Sequence, residues 1–433
     1  MKLSTQGYKG TRDLYPEDKQ LQNLIFSNWH RTSQQFGFLE YGAPLLEPLE
    51  IYQAKSGDEL ANQQTYAFTD RGERQVAIRP EMTPSICRLV AAKRQELAYP
   101  ARFYSIANFM RYERPQKGRE REFWQLNADI FGDDSIYADA EILMLSWQIL
   151  MNFGATQDMF EIRINDRRLI NALMKDYLGL NDDTAYKLIK LLDQKDKLPV
   201  TEFQAKLTDL VADATTLTKL QTLLDNSELD NFPTELKNTT DYQNVVKILE
   251  VLETQGITNA RFDIFLMRGL DYYTGTVFEV FDTHPENNRS LFGGGRYDGL
   301  VGMFGAEPIS AVGVAPGGST CLEFIKLHNL APSYVPTAKY VILPLDNQEA
   351  EAFGLAKALR QAGINVEIDF TDRKLAKKIK SADKKAMLGV IILGEQEASS
   401  GRYSLKNIKT NQSVELDLKA LIKALEQSAV APL

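Results

Sequence analysis

A cluster of basic residues between two strand-like segments is the feature of this sequence with the clearest chemical meaning. Arg111, Arg114, Lys117, Arg119 and Arg121 lie in the run RYERPQKGRER, with ARFYSIANFM before it and EFWQLNADIFG after it. Arginine binds phosphate and carboxylate groups through two parallel hydrogen bonds. A solvated basic hairpin tip is the alternative, but flanking apolar strands would hold Arg111 on a rigid element. We therefore predict an anion-binding site at the end of a hairpin.

Polar residues on the strand after this loop, and in an earlier segment, are candidates for binding a small ligand. Gln125, Asn127 and Asp129 alternate along the strand, so all three share one face. The wet side of a sheet is the commoner reason for such a stripe, and a lined pocket is the other. In RPEMTPS, Glu81 and Thr83 are placed to bind an ammonium group. From physics alone, a role for Thr83 as the N-cap of a helix is favoured.

Paired tyrosines and a run of glycines form a third set of candidates. The segment MRGLDYYTG brings Arg268 close to Tyr272 and Tyr273, and a tyrosine supplies a ring wall and a hydroxyl that needs a partner. The segment GGGRYDG, residues 293–299, allows close approach of the backbone to a ligand. It lacks the pattern of a phosphate-binding P-loop, and a plain hairpin turn is the serious alternative.

The supply of histidine and cysteine argues against several kinds of chemistry. The histidines are His30, His284 and His328, and none stands beside a serine or cysteine nucleophile signature, so triad chemistry is an unattractive reading. Cys87 and Cys321 are far apart and lack metal-ligand spacing. This argues against a disulfide framework and a zinc site, and it fits a reducing, cytoplasmic environment.

Charge and hydropathy limit the partners of the chain. The net charge of -8 argues against a general nucleic-acid coat, although it allows a local basic patch. The N-terminus has no apolar signal segment. No window approaches the roughly 20 apolar residues that cross a bilayer. We therefore expect no membrane partner.

Hydrophobic periodicity predicts an α+β domain with an inserted helical subdomain. Amphipathic spacing predicts helices over residues 17–36 and 136–153, and residues 101–131 have the pattern of a long hairpin. Residues 166–255 are rich in Leu, Lys and Asp and have the pattern of a run of short helices. Strand-like sequence flanks them on both sides, and the antiparallel pattern lacks a βαβ rhythm, which indicates an α+β class.

The C-terminal part has a different rhythm. A proline-containing linker over residues 331–338 leads to residues 339–433, where strands and helices alternate as in a compact α/β domain. Seven of the thirteen residues from Arg373 to Lys385 are basic and lie on a predicted helix. Such a helix is either a solvated surface or a contact for RNA phosphates, which position RNA without reading its sequence.

Five segments, taken in order, resemble the signature motifs of the histidyl-tRNA synthetases: KGTRDLYP, RPEMTPS, RYERPQKGREREFWQ, RGLDYYTGTVFE and GGGRYDGL. The resemblance runs through nearly the whole chain. It implies a class II catalytic domain on a mixed, mainly antiparallel sheet over residues 1–330, with residues 166–255 as its helical insertion. It also implies an anticodon-binding domain over residues 339–433. The implied protein is a cytoplasmic homodimer.

The implied activity is the ATP-dependent ligation of L-histidine to tRNA(His) through a histidyl adenylate, with ATP as substrate and Mg²⁺ as its companion ion. By motif match, Arg111 would hold the α-phosphate of ATP, Arg119 its distal phosphates, and Glu113 would also bind ATP. Arg268 would face both the α-phosphate and the substrate carboxylate. Gln116, in the loop of motif 2, would contact the acceptor end of the tRNA. The ligands of Mg²⁺ are left unassigned.

The resemblance also implies a histidine pocket made of six residues, namely Glu81, Thr83, Gln125, Asp129, Tyr272 and Tyr273. The first two would grip the ammonium group, and Gln125 would contact the amino-acid backbone. Asp129 and Tyr273 would recognise the two imidazole nitrogens, with Tyr272 nearby. Asp129 is one methylene shorter than the glutamate common in bacterial members of the family, and we expect the same role.

One departure from the family concerns motif 3. Most members have a Gly-Leu-Glu-Arg pattern, whereas here the run is VGVAPGGSTCLEF, so that Gly318, Ser319 and Thr320 fill the stretch without an arginine. The rival reading is the synthetase-like regulatory subunit of ATP phosphoribosyltransferase, which is not an enzyme. That protein lacks the anticodon domain, and its motif 2 is usually less complete. A general RNA-binding module would leave the set of Glu81, Asp129 and Tyr273 unexplained.

Overall fold

The computed structural model describes residues 3–53, 63–114, 118–195, 198–267, 272–287 and 289–429. It divides into two compact units, Met1–Ala331 and Pro332–Leu433. The strands of the first unit are β1 (Leu39–Glu40), β2 (Leu46–Pro48), β3 (Tyr66–Thr69), β4 (Gln75–Ile78), β5 (Ala101–Met110), β6 (Glu122–Phe131), β7 (Phe160–Asp166), β8 (Ala260–Phe262), β9 (Thr276–Asp282), β10 (Ser290–Arg296) and β11 (Ala311–Val314).

The helices of the first unit are α1 (Pro16–Gln35), α2 (Glu50–Gln53), α3 (Thr83–Ala92), α4 (Ile136–Met151), α5 (Arg167–Ala172), α6 (Asp182–Leu192), α7 (Val200–Leu210), α8 (Ala214–Asp225), α9 (Thr234–Lys237), α10 (Thr240–Thr254) and α11 (Gly318–Leu327). In the part of the chain that the structure describes, no helix is long and apolar enough to cross a membrane.

A mixed sheet of eight strands, counted within the described residues, forms the centre of the first unit. Its strand order is β1-β5-β6-β11-β10-β9-β7-β8. The outer pairs β1–β5 and β7–β8 are parallel, and the pairs between them are antiparallel. The prediction of a mixed, mainly antiparallel sheet in an α+β fold is therefore confirmed. Strands β2, β4 and β3 form a separate small sheet.

The large sheet has one dry face, which packs against long helices. Leu126, Ala128 and Ile130 of β6 are fully buried in a core that also contains Trp29 of α1 and Ile142 of α4. Burying a large aliphatic side chain contributes roughly 1.5–3 kcal/mol. Because side chains alternate along a strand, the intervening residues of β6 point to the opposite face of the sheet.

Helices α5 to α10 lie between β7 and β8 and have a hydrophobic core of their own, which includes Leu188 and Leu207. Side chains of Asn181, Asp213 and Thr239 cap α6, α8 and α10 by accepting hydrogen bonds from backbone N–H groups. Such caps satisfy donors that a helix leaves unpaired in its first turn. The last turns of α10 pack instead into the core beneath the large sheet, so α10 connects the two cores.

The second unit is built on a five-stranded sheet, within the described residues, of order β13-β12-β14-β15-β16. Pairs among β12, β13 and β14 are parallel, and β15 and β16 form an antiparallel hairpin that the sequence analysis did not predict. The elements are β12 (Tyr340–Pro344), α12 (Glu349–Gln361), β13 (Val366–Ile368), α13 (Leu375–Lys384), β14 (Gly389–Leu393), α14 (Glu395–Ser400), β15 (Arg402–Asn407), β16 (Ser413–Asp417) and α15 (Leu418–Ala429).

The basic helix α13 presents fewer cations to solvent than its sequence suggests. Lys378 is buried, and its ammonium group donates to the carbonyl oxygen of Asp369 at 3.0 Å. Lys385 pairs with Glu367, and Arg373 lies 3.6 Å from a carboxylate oxygen of Asp369. Lys378 therefore stabilises the packing of α13 and does not face a ligand.

Candidate active site

A cavity of about 1380 Å³ opens on the face of the large sheet that is opposite α1 and α4. Arg268, predicted to act in catalysis, and Gln116, predicted to contact the tRNA, lie outside the described residues. The cavity wall includes every other residue that the sequence analysis assigned to a ligand, namely Glu81, Thr83, Arg111, Glu113, Arg119, Gln125, Asp129, Tyr272 and Tyr273.

Asp129 lies on the floor of this cavity. Its side chain is buried, and Oδ1 accepts a hydrogen bond from the hydroxyl of Tyr297 at 2.5 Å. Oδ2 has no hydrogen-bond partner among the described residues. Burial raises the pKa of Asp129 to about 7, although the Tyr297 hydroxyl opposes this effect. The carboxyl group can therefore hold or release a proton near neutral pH and has one oxygen available to a ligand.

Glycines make the space in which Asp129 and Tyr273 lie. Gly313 of β11 stands opposite Asp129, and a Cβ atom at Gly313 would lie 2.0 Å from the Asp129 carboxylate. A Cβ atom at Gly295 would lie 2.8 Å from the ring of Tyr273. Gly293 to Gly295 are inside strand β10, so the alternative of a hairpin turn is wrong. These glycines allow side chains of neighbouring segments to lie flat on the sheet.

Two tyrosines and a glutamate form the side of the pocket. The hydroxyl of Tyr272 donates to Oε2 of Glu81 at 3.4 Å, and the rings of Tyr272 and Tyr273 are 4.9 Å apart. Thr83 is the first residue of α3, whose N-cap is Met82, and no side chain caps this helix. The favoured interpretation of Thr83 as an N-cap is therefore wrong, and its hydroxyl lies at the cavity wall.

The other end of the cavity is cationic. Arg111 follows β5, where its Nε donates to the carbonyl oxygen of Pro80 at 2.9 Å and its guanidinium lies 5.1 Å from the ring centre of Phe123. Its terminal nitrogens form no hydrogen bond or ion pair with a protein group within the described ranges. Arg119 lies 3.4 Å from a carboxylate oxygen of Glu113. The arginine on the rigid element is thus oriented by its Nε, which leaves its paired donors for an anion.

Sequence reasoning missed several residues of this site. Tyr297 is the partner of Asp129, and the period of two along β10 could have placed it with Gly293 and Gly295 on the cavity face. Nη1 of Arg167 donates to the carbonyl oxygen of Tyr273 at 3.1 Å and so supports the tyrosine pair. No local signal marks Arg167, since it belongs to the first turn of α5.

The helical insertion contributes to the cavity wall. Lys175, which precedes α6, lines it together with Tyr186 and Lys190 of α6. The ammonium group of Lys190 lies 4.4 Å from the ring centre of Tyr186, and Lys175 lies 2.6 Å from a carboxylate oxygen of Asp182. The sequence analysis did not predict that the insertion reaches the site.

Solved structures place this fold in a class. The histidyl-tRNA synthetase from Nostoc sp. superposes with a TM-score of 0.82 at 23% identity, covering 99% of this chain and 100% of that chain. A structure titled as an ATP phosphoribosyltransferase regulatory subunit/histidyl-tRNA synthetase, from Bacillus halodurans, gives a TM-score of 0.75 at 26% identity and covers 91% of this chain. The fold is that of a class II aminoacyl-tRNA synthetase.

Sequence comparisons name the family within that class. The family model described as Histidyl-tRNA synthetase matches residues 10–320, and the one described as Anticodon binding domain matches residues 339–428. A Histidine--tRNA ligase of Leptospira biflexa is 38% identical, over 98% of this chain and 98% of its own length. One of Halobacterium salinarum is 36% identical over 95% of this chain and 96% of its own. The chain belongs to the histidyl-tRNA synthetase family.

Proposed function

We propose that this chain ligates L-histidine to tRNA(His) with ATP, through a histidyl-adenylate intermediate, and releases AMP and pyrophosphate. The observation that carries the proposal is one cavity with two different ends. A buried carboxyl group with a phenol partner, Asp129 and Tyr297, lies at one end, and the oriented guanidinium of Arg111 lies at the other. The curated relatives that match nearly the full length are named Histidine--tRNA ligase, which supports the same activity.

The buried end is suited to an imidazole side chain. A neutral imidazole offers one donor and one acceptor, and we propose that Asp129 and Tyr273 recognise these two groups. Burial holds the pKa of Asp129 at about 7, close to the unperturbed histidine value of about 6.5. The pair can therefore share one proton near neutral pH. A ligand without these polar groups would leave a buried carboxyl group unpaired, which disfavours it.

The remaining pocket residues are suited to the amino-acid backbone. Glu81 and Thr83 line the wall near Tyr272 and are proposed to bind the ammonium group. Nε2 of Gln125 donates to the carbonyl oxygen of Ala315 at 3.2 Å, which orients the amide oxygen of Gln125 for a ligand N–H. Holding both ends of the amino acid places its carboxylate toward Arg111.

The cationic end is suited to bringing two anions together. The histidine carboxylate would attack the α-phosphorus of ATP, forming a carboxyl–phosphate bond while the bond to pyrophosphate breaks. Arg111 would stabilise the charge that develops on the α-phosphate, and Arg119 and Glu113 would contact the rest of the nucleotide. Arg268 is assigned beside the same phosphate by resemblance. The step needs no protein base, because a carboxylate nucleophile is already ionised at neutral pH.

Magnesium would enter with ATP. Mg²⁺ is normally bound by one or two carboxylates together with substrate phosphates. In the described part of the chain, no group of three or more histidine, cysteine, aspartate or glutamate side chains is placed to hold a metal. Glu113 and Glu279 line the cavity and could each supply one carboxylate. The ion would neutralise phosphate charge during the reaction.

Transfer to tRNA would use the rest of the chain. We propose a catalytic domain over residues 1–330 with an insertion at 166–255, a linker over 331–338 and an anticodon-binding domain over 339–433. The tRNA acceptor end would enter the same cavity, with Gln116 assigned to it by resemblance. Deleting residues 334–433 should lower tRNA charging strongly while histidine activation continues.

The assembly and location are proposed on two observations. Leu39 of the edge strand β1 is 67% exposed, and Leu45 and Leu46 at the start of β2 are 44% and 47% exposed; exposed apolar residues of this kind commonly mark protein interfaces. We propose that this surface forms a homodimer, which light scattering of the purified protein would measure. Cys87 and Cys321 are both unpaired and buried, which supports a reducing, cytoplasmic location.

Histidine-dependent exchange of pyrophosphate into ATP tests the central claim. The reaction should proceed with purified protein, MgATP and histidine, without tRNA, and should not proceed with other amino acids. Arg268→Ala should lower the exchange rate sharply and leave tRNA binding almost unchanged. A regulatory subunit of ATP phosphoribosyltransferase would show no exchange, so absence of exchange in the wild-type protein would refute the proposal.

A further inference from the structure

The start of helix α11 borders the cavity without a charged side chain. Gly317, Gly318, Ser319 and Thr320 all line the wall. The hydroxyl of Thr320 donates to the carbonyl oxygen of Leu291 at 2.6 Å, so its proton is directed at the protein backbone. A triphosphate end lying here would need a cation from another part of the chain.

The N-terminal segment contributes a cation, Arg12, near the start of α11. Its Nε lies 3.3 Å from Oε1 of Glu120, and its side chain is 41% exposed. Its two terminal nitrogens have no protein partner within the ranges that the structure describes. The backbone of the same segment is tied to the basic hairpin, because the N–H of Arg121 donates to the carbonyl oxygen of Gly10 at 2.7 Å. Arg12 is therefore held by its Nε, which leaves the N–H groups of its two terminal nitrogens for a ligand.

Glu120 connects Arg12 to the cavity. Its second oxygen, Oε2, accepts a hydrogen bond from the hydroxyl of Ser319 at 2.9 Å. A small cavity of about 130 Å³ is lined by Arg12, Glu120, Gly318 and Ser319 among others. Of these, Glu120, Gly318 and Ser319 also line the large cavity, so the two spaces adjoin. Arg12 thus lies where the chain after Arg119 meets the first turn of α11.

We propose that Arg12 binds the distal phosphates of ATP and supplies the cation that position 320 lacks. The assignment deepens the proposed function and rests on it. Arginine can keep one bond to Glu120 through Nε while its two terminal nitrogens bind phosphate oxygens. Glu120 is then a positioning residue, because it orients Arg12 and does not itself bind the nucleotide.

Kinetics of Arg12 variants test the assignment in the histidine-dependent exchange reaction. Arg12→Ala should lower kcat/KM for ATP about tenfold to 100-fold, the loss expected for one charge-assisted donor, with KM for histidine nearly unchanged. Arg12→Lys, which keeps the charge without the paired donors, should give an intermediate loss. Arg74→Ala is the matched control, because Arg74 is an exposed arginine that pairs with Asp70 at the β3–β4 turn and does not line either cavity, and it should match the wild type.

A second substitution separates phosphate binding from a structural effect. Thr320→Arg restores a cation to the first turn of α11, so Arg12→Ala combined with Thr320→Arg should recover kcat/KM for ATP to within a few fold of wild type. A merely destabilised Arg12→Ala protein would gain nothing from an arginine at position 320. Two results would overturn the assignment: an Arg12→Ala protein within about twofold of wild type, or a loss that Thr320→Arg leaves unchanged. Absence of exchange in the wild-type protein would instead refute the proposed function.

Discussion

Substituting alanine for Gly313 should damage histidine recognition through one added methyl group. A Cβ atom at this position would lie 2.0 Å from Oδ1 of Asp129, whereas real contacts of this kind are essentially never under 3.0 Å. The carboxylate must therefore retreat by about 1 Å, the difference between these two distances. Unless the tyrosine moves as well, that shift would lengthen the hydrogen bond from Tyr297, which is 2.5 Å long, and so weaken it.

The size of the effect follows from the hydrogen bonds that depend on Asp129. A hydrogen bond to a charged group contributes about 1.5–3 kcal/mol, so the KM for histidine in the exchange reaction should rise about tenfold to 150-fold. The KM for ATP should change little, because Arg111 and Arg119 lie at the other end of the cavity. Asp129→Asn should raise the KM for histidine to a similar extent, because the amide has an NH2 donor in place of one acceptor oxygen and cannot carry the negative charge.

The control for Gly313→Ala is a glycine without neighbours. A Cβ atom at Gly354, in helix α12, would meet no atom within 4 Å. Gly354→Ala should therefore leave both KM values unchanged and stabilise the helix by up to about 1 kcal/mol. A Gly313→Ala enzyme whose KM for histidine stays within about twofold of wild type would contradict the role given to the Asp129 carboxylate.

Three further predictions concern stability and RNA. Burial holds the pKa of Asp129 at about 7, above its unfolded value of about 4. Protonation of Asp129 therefore stabilises the folded state fully below about pH 4, and this stability is lost as the pH rises through about 7. Thermal unfolding of Asp129→Asn, measured across this range of pH, should lack the decline. Arg296→Leu should destabilise by about 3–5 kcal/mol in urea unfolding, because it leaves Asp139 buried and unpaired, and adding Asp139→Asn should recover part of the loss. Stacking of a base on an aromatic ring contributes about 1–3 kcal/mol. If a tRNA base stacks on Tyr186, Tyr186→Ala should lower kcat/KM for tRNA about tenfold without affecting the exchange reaction. Tyr137→Ala, at another exposed tyrosine, is the control and should have no effect.

Most of the fold could be predicted from the spacing of apolar residues within single helices and strands. The period of two in β6 separated the face of Asp129 from the buried face of Leu126 and Ile130, and the helical spacing of α1 and α4 located both helices to within two residues at each end. This spacing is informative because each helix or strand buries one face, and the buried positions must be apolar. The hairpin β15–β16 was missed because its residues are mostly polar and partly exposed, which leaves little periodic signal.

Contacts between distant segments could not be predicted in the same way. Tyr297 lies 168 residues from its partner Asp129, and no local spacing relates the two. Glycine is depleted in strands in general, which made a hairpin turn a serious alternative for the run from Gly293 to Gly295, but the side chains of Phe278 and Tyr273 need the space at Gly294 and Gly295. Lys378 looked solvated because its burial depends on the carbonyl oxygen of Asp369 in the neighbouring chain segment. In each case a tertiary contact overrides the local preference.

The pairing of cations with carboxylates is consistent with the proposed phosphate site in an acidic chain. Arg119 is close to Glu113 and Arg12 is close to Glu120, so these two positive charges are locally balanced before a ligand arrives. A balanced site attracts polyanions weakly over long range, since the net field is small. Binding then depends on whether phosphate oxygens match the geometry of the arginine donors. Under the proposed function, nucleotide selectivity at this site comes from the placement of a few guanidinium groups and not from the net charge of -8.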